Sequence, residues 1–218
     1  MQKKSAPIKF LVTETFISLQ GEGPFSGFPC FFIRLSGCPH NCIYCDTKYA
    51  KLEGEEKDLK ELLKEAKDSG INLIEVTGGE PLSQEGTPLL LKELLKLKFK
   101  VLLETSGYES IAEVPENVIK ILDFKTPGSQ APEFNLENLN FLKRWDALKF
   151  VIIDRDDFFW AKEKVEKLKL PEICNVYFSP AYPYFSPIVL ANLILKYKLP
   201  VFLNLPLHKL LWGEERKR

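Results

Sequence analysis

Apolar, β-branched runs recur along this chain, and almost every one ends in a small group of glycine, serine or charged residues. The runs lie at 8–19, 30–36, 71–77, 100–105, 118–124, 147–153, 175–179 and 200–205. Between several of them, apolar residues return at helical spacing, over 56–69, 88–97, 154–168 and 187–197. Strands that alternate with helices imply parallel strands joined by crossovers, hence an α/β fold with a mostly parallel sheet. Open parallel sheets and barrels gather ligands at the C-terminal edge of their strands. One rim would therefore collect the cysteines that follow the second run, with Glu80, Ser106, Asp123, Lys125, Ser179 and His208. A chain of 218 residues fits one domain, 1–218. Residues 1–7 read as a loose terminus, and Gly213 to Arg218 as a short, charged, mobile tail.

The chain has 30 basic and 30 acidic residues, so no global field favours nucleic acid or an anionic membrane. No apolar run approaches the roughly 20 residues that span a bilayer. No signal-peptide pattern opens the chain. A cytoplasmic protein, whose thiols stay reduced, is expected.

The stretch 35–49 reads LSGCPHNCIYCDTKY and holds Cys38, Cys42 and Cys45 in C-x3-C-x2-C spacing, while Cys30 and Cys174 stand apart. Three thiolates so close call for a soft metal or a cluster. Three ligands without a nearby fourth thiol suit an iron–sulfur cluster with one iron left open. Zinc with His40 as fourth ligand is the competing reading, but His40 lies inside the first gap, where closing a tetrahedron is cramped. Cys30 and Cys174 read as small buried hydrophobes.

Other features ask for partners. Gln20-Gly21-Glu22-Gly23-Pro24 is either a plain turn or backbone brought close to a ligand. Arg34 sits in an apolar strand and needs a buried acid or a bound carboxylate. Gly78-Gly79-Glu80-Pro81 follows a strand directly, and Pro81 holds Glu80 extended. Lys149 stands inside another apolar strand.

On these residues the chain resembles the 7-carboxy-7-deazaguanine synthases, radical S-adenosylmethionine (SAM) enzymes of the deazapurine route to queuosine. The resemblance is carried by TFISLQGEGPFSG (15–27), FFIRLSGC (31–38), CDTKY (45–49), TGGEP (77–81), ETSG (104–107), DFKTPGS (123–129), LKFVI (148–152) and LHKLLWG (207–213). It implies a reduced version of the partial (β/α) barrel of the radical SAM type. It also implies a homodimer, a flavodoxin- or ferredoxin-type reductant, and conversion of 6-carboxy-5,6,7,8-tetrahydropterin by hydrogen abstraction at C6, ring contraction and loss of ammonia. Cys38, Cys42 and Cys45 would hold a [4Fe–4S] cluster. Gly79, Glu80, Ser106, Asp123, Phe124, Lys125, Ser179, Pro180, Ala181 and Tyr182 would meet SAM. Leu19, Gln20, Gly21, Arg34 and Thr77 would hold the pterin, and Thr47 would give a hydroxyl to Mg2+. His208 and Lys209 lie near the expected pocket without an assigned role. A glycyl-radical activating enzyme shares the triplet but needs an open face for a protein substrate. A non-catalytic zinc or electron-transfer module is the alternative from another class.

Overall fold

The computed structural model describes residues 8–217, so the first seven residues and Arg218 lie outside it. Its elements in chain order are β1 (Lys9–Leu19), β2 (Pro29–Leu35), β3 (Glu55–Asp58), α1 (Leu59–Asp68), β4 (Leu73–Gly78), α2 (Thr87–Lys96) and β5 (Lys100–Thr105). They continue with β6 (Ile119–Asp123), β7 (Ala147–Ile152), α3 (Arg155–Lys167), α4 (Leu170–Ile173), β8 (Asn175–Pro180), α5 (Pro187–Tyr197), β9 (Phe202–Leu203) and α6 (Leu207–Trp212).

The strands form one sheet in the order β3-β1-β2-β4-β5-β6-β7-β8-β9. From β2 to β9 all neighbours are parallel. β1 runs antiparallel to both β2 and β3. The first of these pairings follows from the connection: residues 20–28 are too few for a crossover, so the chain turns back on itself. Helix α1 starts later than periodicity suggests. The Asp58 side chain accepts from Glu61 N, and Glu61 reaches back to Asp58 N. This capping box fixes the first turn and frees 55–58 to pair as an edge strand. The connections after β5 and β6 contain no α-helix, only loops and 3-10 turns at Pro127–Ser129 and Leu136–Phe141. The barrel is reduced in this sense.

Side-chain alternation along the parallel strands sets the site. One face carries Phe31, Ile33, Leu35, Ile74, Val76, Val101, Leu103, Leu122, Leu148, Phe150, Val176 and Phe178 into the main core under the helices. The other face begins apolar, with Cys30, Phe32, Leu73, Leu102, Ile121 and Ala147 in a second cluster. Two residues further along the same strands it becomes polar: Arg34, Glu75, Glu104, Asp123 and Lys149. A period of two makes this switch visible in the sequence. The inner face thus has an apolar floor and a polar upper layer at the strands' C-terminal ends.

Candidate active site

A cavity of about 270 Å³ opens at that edge. It is lined by the three clustered cysteines and by Leu19, Gln20, Gly21, Arg34, Thr47, Thr77, Gly79, Ser106, Asp123, Lys125 and Ser179–Tyr182. Residues scattered over 160 positions of sequence are gathered there by the parallel order of the strands.

The cysteine loop leaves β2 and is tied down along its length. Ser36 N donates to Leu11 O at 2.8 Å, and Gly37 N to Ala50 O at 2.8 Å. Ile43 N donates to Ser129 O at 3.2 Å, and Lys51 Nζ donates to His40 O and, at 2.7 Å, to Asn41 Oδ1. The glycine loop after β4 is stitched to it, Gly79 N to Leu35 O at 3.0 Å and Glu80 N to Gly37 O at 2.8 Å. A Cβ on Gly79 would lie 2.1 Å from Gly37 O and 2.8 Å from Cys38 Cβ, so only glycine permits this approach.

The donor set fits a cluster. Three soft thiols face one cavity, whereas Cys30 is fully buried in the apolar floor and Cys174 in the main core. Burial pushes the Cys38 and Cys42 thiols above their ordinary pKa, so they stay protonated until metal displaces the protons. No three His, Cys, Asp or Glu side chains among the described residues converge as a single ion needs. Thiolates bound to three different irons are spread more widely than ligands of one ion. His40 turns away from a zinc role: its Nε2 lies 3.2 Å from Ser106 Oγ and its ring packs edge-on against Tyr108.

Two expected SAM contacts need correction. Glu80 is fully buried and spends its carboxylate inside the protein. Oε1 accepts from Thr105 Oγ1 at 2.7 Å and Leu82 N at 3.0 Å, and Oε2 accepts from Ser106 N at 2.8 Å and Ser106 Oγ at 2.5 Å. It braces the wall from behind, leaving Gly79 and Ser106 to face the cavity. Phe124 points into the core, stacked on Phe134 and Phe150 at 4.1 and 5.0 Å between ring centroids. Adjacent strand residues face opposite sides, so Asp123 inward puts Phe124 outward. The charged tail differs from expectation as well. Gly213–Lys217 lies along the cavity, and Arg216 Nη2 meets Glu53 Oε2 at 2.7 Å.

A network of charges lines the inner face of the cavity. Lys149 is 5% exposed and meets Glu22, Glu104 at 2.6 Å and Asp123 at 3.2 Å. Burial alone would lower its pKa, but the three carboxylates outweigh that and hold it well above the ordinary lysine value. Asp123 also takes Lys125 at 2.6 Å, and the two lysines keep it below the usual carboxylate range despite its burial. Glu75 lies lower, receiving the Gln20 side-chain amide. Burial, reinforced by the nearby Glu104 carboxylate, pushes Glu75 well above the usual range and favours its protonated form. Arg34 finds a buried acid: Nε donates to Glu14 Oε1 at 2.9 Å. Lys149 and Arg34, each inside an apolar strand, were the sequence signals for this polar layer.

Helix α6 closes the side of the cavity next to β1. Leu207 N donates to Gly21 O at 3.0 Å, and a Cβ on Gly21 would lie 2.4 Å from His208 Nδ1. His208 Nε2 and Lys209 Nζ stand 3.6 and 3.7 Å from Asp46 Oδ2, beside Thr47. Burial would raise the Asp46 pKa, but the nearby His208 ring and the Lys209 charge hold it below the usual range.

Comparison with known proteins agrees with this geometry. The profile of the radical SAM superfamily matches residues 32–178. A protein of Chlorobaculum tepidum named 7-carboxy-7-deazaguanine synthase is 37% identical over 211 residues, covering 94% of this chain and 96% of its own length. One of Koribacter versatilis with the same name is 38% identical over 222 residues, covering 94% and 98%. The crystal structure of QueE from Escherichia coli superposes with a TM-score of 0.76 at 22% identity, covering 92% of this chain and 95% of that one. This last likeness concerns the fold.

Proposed function

The chain belongs to the radical SAM superfamily and, within it, to the 7-carboxy-7-deazaguanine synthases, and from that membership we propose how its residues share the work. The reaction converts 6-carboxy-5,6,7,8-tetrahydropterin to 7-carboxy-7-deazaguanine, a queuosine precursor, with ring contraction and loss of ammonia. The observation that carries this reading is the convergence of Cys38, Cys42, Cys45, Gly79, Ser106 and Arg34 on one cavity.

Cys38, Cys42 and Cys45 would hold a [4Fe–4S] cluster, with the fourth iron open to SAM. When bound, cluster and SAM supply one-electron hydrogen abstraction at C6 of the pterin. Everything else falls to the protein: binding, orientation, charge and exclusion of water. Gly79 and Ser106 would meet the methionine end of SAM with bare backbone and a hydroxyl, while Glu80 holds that wall rigid. Asp123, Lys125 and Ser179–Tyr182 would line its ribose and adenine. Asp123, held by Lys125 on one oxygen and Lys149 on the other, would present a fixed carboxylate at this wall.

Leu19–Gly21 and Thr77 would hold the pterin ring and Arg34 its carboxylate. Arg34 spends only Nε on Glu14, so its terminal nitrogens keep the fork that grips a carboxylate bidentately. Thr47 would offer a hydroxyl to Mg2+, a hard cation suited to oxygen ligands from substrate and water. No helix among the described residues is long and apolar enough to cross a membrane. A cytoplasmic homodimer served by a flavodoxin- or ferredoxin-type reductant completes the reading.

The test is anaerobic incubation of reconstituted protein with SAM, reductant and 6-carboxytetrahydropterin, with product identification by mass spectrometry. 7-Carboxy-7-deazaguanine is expected. Its absence from protein that carries the cluster and cleaves SAM would overturn the reading. Cys42→Ala should lose both iron and SAM cleavage, and retention of both would overturn the ligand assignment.

A further inference from the structure

We propose that Tyr49 and Arg216 are positioning residues for Arg34, acting through the buried Glu14 to present its guanidinium to the substrate carboxylate. The proposal rests on the reading that Arg34 binds that carboxylate.

Glu14 and Arg34 face each other across β1 and β2, and the register of the pair shifts between Val12 and Glu14. Such a bulge re-aims the side chain beside it. The Glu14 side chain is 2% exposed and that of Arg34 14%. One oxygen, Glu14 Oε1, accepts from both Arg34 Nε and Tyr49 Oη, each at 2.9 Å. The other, Oε2, is buried without a hydrogen-bonding partner. The Phe16 ring lies 5.5 Å from the Arg34 guanidinium carbon. Arg34 is thus held at Nε and on one face, and its terminal nitrogens donate to no group among the described residues.

Tyr49 lies in the 3-10 turn Lys48–Lys51 that follows the cysteine loop. Its hydroxyl satisfies Glu14 as a neutral donor. A second cation bonded to that oxygen would compete with Arg34, whereas a hydroxyl steadies the carboxylate and leaves Arg34 as the cation that bonds it directly. Arg216 covers the other side of the ring, its guanidinium carbon 3.7 Å from the Tyr49 centroid. The Glu53 contact at 2.7 Å anchors Arg216, and with it the segment 213–217 along the cavity. A continuous chain of contacts, Glu53–Arg216–Tyr49–Glu14–Arg34, links the segment 213–217 to the group that would meet the substrate.

The test measures pterin affinity of the SAM-loaded holoenzyme under anaerobic conditions, for wild type, Tyr49→Phe, Arg216→Ala, the double variant and Arg34→Ala. The same proteins are titrated with 6-methyltetrahydropterin, which lacks the carboxylate. Tyr49→Phe should weaken binding of the carboxylate-bearing substrate roughly tenfold, as expected for one hydrogen bond to a charged group. Arg216→Ala should weaken it about threefold through loss of the exposed stacking contact. The double variant should lose less than the product of the two, because the contacts lie in series. The methyl analogue should bind all five proteins with nearly one affinity, and in Tyr49→Phe and Arg216→Ala iron content, SAM affinity and kcat at saturating substrate should be those of wild type. Unchanged pterin affinity in Tyr49→Phe and Arg216→Ala, with weakened binding in Arg34→Ala, would overturn the inference and leave the function standing. Unchanged affinity in Arg34→Ala would sink the reading beneath it. Parallel loss of iron or SAM binding in Tyr49→Phe would show a structural role and also overturn the inference.

Discussion

Two lysines are buried in adjacent strands of this sheet, one near each end, and they are compensated differently. Lys120, on β6, is 1% exposed and pairs with Asp146 at 3.1 Å, also donating to Val118 O at 3.0 Å. Asp146 in turn accepts from the backbone nitrogens of Lys120 and Lys143, both at 2.8 Å. One positive charge meets one negative charge, and the remaining lone pairs are used. Lys149, on β7 near the opposite end, draws Glu22, Glu104 and Asp123 from three separate segments. With Lys125 also on Asp123, three carboxylates face two ammonium groups and one negative charge is left over. The first arrangement is closed and serves the fold. The second is charged and open to a cavity, which suits a site that must accept a cationic cofactor and an amino-bearing ring. Burial of a lysine does not by itself mark function; surplus charge around it does.

The largest expected effect breaks the open arrangement. Lys149→Met leaves three carboxylates without their common partner, so they repel and move apart. Turnover should fall at least ~100-fold, as for comparable misplacement of positioning groups. Iron content should persist, since no cysteine contacts Lys149. Product formation per bound cluster measures it, and near-wild-type turnover would mean the surplus charge is irrelevant.

Lys120→Met should act on stability. It strands the Asp146 carboxylate in a site without solvent access, which costs about 3–5 kcal/mol. Denaturant unfolding should show the midpoint shift, while KM for pterin and SAM stays unchanged in the protein that remains folded. A comparable loss of turnover in both variants would erase the distinction between the two ends.

The smallest effect concerns Glu75, beneath Lys149. Its folded-state pKa is raised, by burial first and Glu104 second. The associated stability is therefore complete below the unfolded value of about 4.3 and is lost as pH rises toward the folded value. Glu75→Gln keeps an acceptor for the Gln20 amide and cannot ionise. Its melting temperature relative to wild type should therefore climb as pH rises above about 4.3. Thermal melts across that range measure it, and a difference that is flat or falls with pH would reverse the assignment.

Much of this was legible before any coordinates. The alternation of strand and helix predicted the parallel run from β2 to β9. The placement of the cysteines, Glu80, Ser106, Asp123, Lys125, Ser179 and His208 past strand ends predicted a shared rim, and all of them but Glu80 line the cavity. Phe124 could have been excluded on the same grounds, because it neighbours an inward Asp123. Other features lay beyond a local reading. The fully engaged carboxylate of Glu80 depends on Thr105 and Ser106, which reach it only through the pairing of β4 with β5. A charged tail reads as solvated unless Glu53 and Tyr49 are known to stand beside it.

Spacing along the chain pointed to the chemistry at the rim. Three cysteines within eight residues call for a shared soft metal or cluster, and paired glycines after a strand expose backbone, because covalent geometry and sterics act over a few bonds. Tertiary structure decided which charges meet: Lys149 with residues 22, 104 and 123, and Arg34 with residue 14. Such pairings follow from strand order, register and the cost of desolvating an ion, and none of these can be read from neighbours along the chain.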